Sequence, residues 1–175
     1  MGDTKKDILL VDGYNVIHDW PELIVFKDQM DHARDRLVDS MAGYGVYKNF
    51  RVVIVFDAHG IPGESTCRTV FKDLEVVFTS EGETADSYIE RMSYCLVRQG
   101  EKVFVVTSDW AEQTVILGAG AFRISARELG QAVRKFKKTA GEEFGDSIPN
   151  YRRQELANRL SREVRQRLDE IRRGR

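Results

Sequence analysis

This 175-residue chain has few of the residues that staple or anchor a fold. Its two cysteines, Cys67 and Cys95, lack metal-ligand spacing, which argues against both a disulfide scaffold and a structural zinc site. No apolar run approaches the ~20 residues of a membrane span, and no signal-peptide pattern is present. The expectation is a cytoplasmic protein with no membrane partner. His18, His32 and His59 show no ligand spacing either. No Gly-x-x-x-x-Gly-Lys-Ser/Thr motif occurs, so a P-loop nucleotidase is excluded. Gly118-Ala119-Gly120 is too short a feature to bind a dinucleotide. No small-molecule organic cofactor is expected, and there is no internal repeat or low-complexity segment.

With 42% hydrophobic residues, the chain reads as one globular domain with an appendage. A net charge of −1 hides a division. Residues 1–120 hold 12 Lys+Arg against 20 Asp+Glu, whereas residues 121–175 hold 15 against 8. The basic part is suited to a polyanion, although Arg and Glu on a helical tail also serve solubility.

Four apolar runs, Ile8–Val11, Val52–Phe56, Glu75–Thr79 and Val103–Ser108, are continuous rather than alternating. That is the pattern of strands buried on both faces of a parallel sheet. Helical patterns separate them. Ala33, Leu37 and Met41 share one face over 31–47, and Ala85, Ile89, Met92 and Leu96 share one over 85–99. A third helix is expected from Trp110 to before Gly118. Ala121–Ser125 reads as a short strand, with Ser125 capping a helix to about Lys138. Strands alternating with helices indicate α/β architecture. The segment Thr139–Asn150 interrupts the pattern. Beyond it, Leu156, Leu160, Val164, Leu168 and Ile171 form an apolar stripe on an Arg-rich helix. The expected organisation is a domain over 1–140, a linker over 141–150 and a basic amphipathic helix over 151–175.

An aspartate stands just past each of the four runs: Asp12, Asp57, Asp86 and Asp109. Ligands of open α/β sheets bind beyond the carboxyl ends of the strands. Four carboxylates gathered there would repel unless some kept a proton or a cation entered. Hard divalent ions such as Mg²⁺ take carboxylate oxygens and retain waters, so the arrangement points to metal-dependent phosphate chemistry. Each acid also has a plainer reading. Asp12-Gly13 suits a two-residue hairpin, Asp57 a strand-ending turn, and Asp86 and Asp109 a helix's first turn. Asn15, three residues after Asp12, is a candidate to orient a metal-bound water or meet a phosphate, and equally a turn former in a loop. A phosphoacceptor receiver domain would need a paired acid at the first strand and a lysine after the fifth, and neither is present.

Leu9-Leu10-Val11-Asp12-Gly13-Tyr14-Asn15-Val16-Ile17 resembles the opening motif of NYN-domain nucleases of the YacP-like branch, relatives of PIN-domain ribonucleases. The likeness continues through Val55-Phe56-Asp57-Ala58-His59, Glu83-Thr84-Ala85-Asp86 and Thr107-Ser108-Asp109. It then runs from Gly118-Ala119-Gly120-Ala121 to Ser125-Ala126-Arg127-Glu128-Leu129. The resemblance implies a PIN-like three-layer α/β/α fold with a mostly parallel sheet. It places catalytic roles on Asp12, Asp86 and Asp109, with Asp57 assisting, and metal binding by Asp12, Asp86 and Asp109 with Mg²⁺ or Mn²⁺; Asn15 joins the catalytic candidates by its position after Asp12. The bacterial type it resembles cleaves mRNA on the ribosome. The expected function is therefore a metal-dependent endoribonuclease with mRNA and the ribosome as partners. A nuclease for tRNA or structured DNA, and a non-catalytic ribosome- or RNA-binding module, remain alternatives. Arg123, Arg127, Arg134, Lys135, Lys137 and Lys138 are the candidate nucleic-acid contacts.

Overall fold

The structure, a computed structural model, describes residues 5–58, 66–108 and 110–144. Among these residues six strands, β1 (Asp7–Asp12), β2 (Phe50–Phe56), β3 (Thr66–Phe71), β4 (Leu74–Phe78), β5 (Val103–Val106) and β6 (Phe122–Ile124), form one sheet in the order β3-β4-β2-β1-β5-β6. Five of them are parallel, and β3 pairs antiparallel with β4 at one edge. The chain builds outward from β1 through β2 to β4, then returns to place β5 on the other side of β1. The strand order thus reverses beside β1, where an open α/β sheet leaves its ligand crevice.

Among the described residues, six helices complete the layers: α1 (Gly13–Asp19), α2 (Pro21–Ile24), α3 (Met30–Lys48), α4 (Ala85–Arg98), α5 (Trp110–Gly118) and α6 (Ala126–Phe144). Side chains alternate across a strand, and β1 shows it plainly. Leu9 and Val11 join a core with Val16, Leu37, Met41, Leu129 and Val133, under α1, α3 and α6. Ile8 and Leu10 join a second core with Ala85, Ile89 and Ile116, under α4 and α5. Burial on both faces explains why these strands read as unbroken apolar runs.

The expected strands and the helices α3, α4 and α5 lie where the pattern placed them. The hairpin alternative at Asp12-Gly13 is not what forms. Asp12 caps α1 instead, its Oδ1 accepting the Asn15 amide at 3.1 Å, so Asn15 stands in a helix rather than a loop. Ser125 caps α6 reciprocally. Its Oγ accepts the Glu128 amide at 3.1 Å, while the Glu128 carboxylate accepts the Ser125 amide at 2.7 Å. Hydrogen bonds to the carboxylate from the Ser125 side chain and then from the Ser125 amide hold the Glu128 carboxyl below its usual range. Ser125→Ala should cost about 1 kcal/mol, read as a lowered urea midpoint at unchanged slope, and an unchanged midpoint would deny the cap that role. Helix α6 continues past Lys138, through Gly141, to Phe144. The expected helix over 151–175, and the linker from residue 145 on, lie outside the described residues.

Trp20 ties this face together. It is 1% exposed, and its Nε1 donates to the Ala126 carbonyl at 2.8 Å, joining the α1–α2 junction to the start of α6. Gly130 makes room for it, since a Cβ there would meet Trp20 Nε1 at 2.8 Å.

Candidate active site

Three of the four aspartates fall within the described residues, two at the carboxyl ends of adjacent strands and the third at the start of the helix that follows the next strand. Asp12 is the last residue of β1, and Asp57 follows β2 directly. Asp86 lies in the first turn of α4, after β4. The parity of the strands aims them together: Asp12 continues the alternation of Ile8 and Leu10, and Asp57 that of Val53 and Val55, toward the α4 side. Asp109 lies outside the described residues, as does His59. The segment it follows, β5, pairs with β1 through Val11 and Val106, which places Thr107 beside Asp12 at the sheet edge.

Asp57 is half-buried, and its Oδ1 accepts the Ala85 amide at 2.6 Å. That bond pins the start of α4 and hence the neighbouring Asp86. Thr84 completes the arrangement as N-cap of α4, accepting the Ser87 amide at 3.2 Å. Thr79, 1% exposed, accepts the Ala58 amide at 3.2 Å and so ties the chain after β2 to β4. Thr84 falls inside the Glu83-Thr84-Ala85-Asp86 motif and Thr79 ends the run that begins at Glu75, but nothing in the sequence assigns either a role.

Asp12 is 8% exposed. Burial pushes its carboxyl up to about 7 from an ordinary 3.8, the Asn15 amide opposing. The charge of Asp86, which also lies within hydrogen-bonding reach, and the charge of Asp57 push further in the same direction. Near neutral pH this buried carboxyl is therefore held between its two protonation states by its neighbours, an arrangement that a cation would relieve. Asn15, whose backbone amide donates to Asp12, has a buried Oδ1 with no hydrogen-bond partner among the described residues, an acceptor of the kind that a metal-bound water satisfies. Oxygen donors with one orphaned acceptor are the donor set of Mg²⁺ or Mn²⁺ rather than of a softer metal. Among the described residues no group of three His, Cys, Asp or Glu side chains converges closely enough to enclose an ion.

The basic candidates Arg123, Arg127, Arg134, Lys135, Lys137 and Lys138 are all exposed on β6 and α6. Two of them already have partners: Arg134 Nη1 donates to both carboxylate oxygens of Glu22, at 3.1 and 3.2 Å, and Lys137 Nζ donates to Ser40 Oγ at 2.8 Å. Burial lowers the Lys137 ammonium below its usual range.

No helix among the described residues is long and apolar enough to cross a membrane. The YacP-like NYN domain profile matches residues 9–173. The chain is 45% identical over 133 residues to the uncharacterized protein YacP of Bacillus subtilis (strain 168), spanning 75% of this chain and 78% of the relative. The crystal structure of Rae1 (YacP) from Bacillus subtilis matches with a TM-score of 0.70 at 39% identity, covering 96% of this chain and 95% of that one. A single-substitution mutant of the same protein gives 0.68 at 39%, covering 90% of each. With a match across nearly its whole length and acids gathered at the strand ends, the chain belongs to the YacP-like NYN domain family, a family of nucleases.

Proposed function

We propose that the protein is a metal-dependent endoribonuclease that cleaves mRNA in association with the ribosome. What carries the reading is the Asp12 carboxyl: buried, within reach of Asp86, beside Asp57, at the point where the strand order reverses. A protein that only bound RNA would gain nothing from concentrating negative charge beside a polyanion. Asp12 and Asp86, with Asp109, would hold Mg²⁺ or Mn²⁺, and Asn15 offers its unpaired oxygen to a water of that ion. A divalent ion held there supplies a water of lowered pKa and charge stabilisation at the scissile phosphate. Asp57 acts by positioning, through the Ala85 amide. The test is incubation of the purified protein with mRNA, with and without translating ribosomes. Cleavage only on ribosomes supports the full reading. Cleavage of free RNA, tRNA or structured DNA moves the substrate class, and binding without cleavage leaves a binding module.

Metal affinity gives an independent expectation. Mg²⁺ or Mn²⁺ should raise the thermal midpoint of the wild type and leave that of Asp12→Asn/Asp109→Asn unmoved, because a ligand of the native state stabilises by mass action. Equal responses in both proteins would place the ion elsewhere.

The basic surface of β6 and α6 is proposed to hold the RNA backbone. All six basic residues are exposed for the task, and Arg134 and Lys137 would take part by exchanging their Glu22 and Ser40 contacts for phosphate. Replacing Arg134, Lys137 and Lys138 by Ala should weaken RNA or ribosome association. It should also flatten its dependence on salt by up to about 2 in logarithmic slope, with the metal-induced thermal shift intact. An unchanged slope would reduce this face to a solvated surface.

A further inference from the structure

A second cluster stands at the same strand ends, on the opposite face of the sheet. Phe56, the last residue of β2, continues the parity of Val52 and Ile54 and points toward α3, whereas Asp57 points toward α4. Phe78, the last residue of β4, stacks on Phe56 at 5.5 Å. Tyr14, two residues beyond Asp12, meets Phe56 edge-on at 5.1 Å. The guanidinium of Arg34 lies over all three rings, 5.9 Å from Tyr14, 6.0 Å from Phe56 and 5.8 Å from Phe78. Its Nη1 donates to the Tyr14 hydroxyl at 2.6 Å, and Nη2 pairs with Asp31 on the same helix. The Arg34 side chain keeps 17% of its surface exposed, and that of Asp31 55%.

Packing alone does not account for an arginine here. The three rings would be covered equally well by Leu or Met, and replacing a part-buried ion pair by apolar groups is often neutral or stabilising. The arrangement does what a phosphate site needs. Rings on one side and the Tyr14 hydroxyl at one end fix the guanidinium plane, so little side-chain freedom is lost when an anion arrives. Gly13 brings this platform close to the acids: a Cβ there would meet Phe56 Cε1 at 2.2 Å, so only glycine lets the ring press against the residue between Asp12 and Tyr14. The carboxylates on one face repel a phosphate that no cation bridges, while on the other face Arg34 can take a phosphate by exchanging its contact with the exposed Asp31.

We infer that Arg34, oriented by Tyr14, binds a backbone phosphate of the RNA strand at a position displaced from the carboxylate cluster, and so sets the register in which the strand lies across the sheet edge. The inference rests on the nucleic-acid reading above, and deepens it by adding a positioning contact. The strand would be gripped on both faces of one edge, with the reacting phosphate at the acids and a neighbouring one at Arg34.

The test uses full-length protein and 2′-O-methyl oligonucleotides carrying one neutral methylphosphonate at successive positions, with binding measured by fluorescence anisotropy in EDTA. Losing one charge-assisted contact should weaken binding of Arg34→Gln about tenfold and flatten the salt slope by about 0.7. In the wild type, one methylphosphonate position should cost a similar factor, and at that position Arg34→Gln should lose nothing more. Arg34→Lys, which keeps the charge without the planar fork, should recover part of the loss, and Tyr14→Phe should lose less than Arg34→Gln. If Arg34→Gln remains as sensitive as the wild type at every position, the contact does not exist. A uniform loss accompanied by a lowered thermal midpoint would assign Arg34 to packing and overturn the inference. Wild type that binds no oligonucleotide would overturn it along with the nucleic-acid reading. Wild type that shows the position-specific loss but cleaves unmodified mRNA with Mn²⁺ neither free nor on translating ribosomes would sink the nuclease reading alone and leave the Arg34 contact standing.

Discussion

Asp12→Asn and Asp86→Asn should each lower RNA cleavage by roughly 10²–10³-fold or more, the scale seen when one charge-stabilising group is removed from an active site. Asp12→Asn should at the same time stabilise the metal-free protein above neutral pH. The sign follows from the carboxyl being pushed up to about 7 from 3.8. Between those values the folded state holds a proton that the unfolded state has released. Stability carried by Asp12 is therefore complete below about pH 4 and is lost as pH rises through 7. A shift of one unit corresponds to about 1.4 kcal/mol, so the loss amounts to a few kcal/mol, which a neutral amide escapes. Urea unfolding in EDTA at pH 5 and pH 8 checks this: the wild type should lose stability between them, and Asp12→Asn should lose less. A wild type and variant with parallel pH profiles would mean that Asp12 is not the strained carboxyl. Full cleavage by both variants would end the nuclease reading. Asp57→Asn keeps an oxygen that can accept from Ala85, so its effect on cleavage should be the mildest of the three; Asp57→Ala releases α4 and should resemble the loss of Asp86.

The largest stability effect is expected from Gly13→Ala, a single methyl group. Gly13 opens α1 and is buried, and its added Cβ would lie 2.2, 2.5 and 2.8 Å from three carbons of the Phe56 ring. Phe56 cannot retreat easily, being fully buried and stacked on Phe78. Overpacking of a filled core costs typically 1–3 kcal/mol, occasionally more, and this contact should lie at or above the top of that range. The damage should also reach function, because Gly13 stands between Asp12 and Tyr14. Displacing the start of α1 moves the acid whose Oδ1 caps that helix. Denaturation midpoints with and without Mn²⁺, alongside cleavage, should show a lowered midpoint and a weakened metal response together. A variant as stable as the wild type would mean that Phe56 swings aside freely, which the packing argues against.

The central strands could be read from the chain because the cause of their burial is local. Ile8–Val11 and Val52–Phe56 are apolar at every position, as residues covered on both faces must be. Helices α3 and α4 were legible from their spaced apolar faces, and Ser125 as N-cap announced the start of α6; that Glu128 completes the cap reciprocally came from the structure. Helix α1 was not legible. Val16 and Ile17 favour strand as readily as helix, seven residues are too few to show a period, and what decides is Asp12 capping Asn15 and Trp20 reaching Ala126 across the fold. Strand β3 was missed for a related reason: Thr66–Phe71 is an edge strand whose pairing with β4 is set by the antiparallel register, not by its own residues.

The acids follow the same division. Sequence alone determined that Asp12 and Asp57 end buried strands, since a carboxylate is expelled from an apolar run and must sit at its end. It also determined the family likeness that runs through them. Only the tertiary structure decided that strand parity turns Asp12 and Asp57 toward α4 rather than α3, that Asp57 holds the amide in front of Asp86, and that Asp12 is the acid forced upward in pKa. It likewise decided that Arg34, an ordinary helix residue by its neighbours in sequence, meets three rings from three other elements at the same edge. These are contacts between residues tens of positions apart, and their energies depend on burial and direction, which strand pairing sets and composition does not.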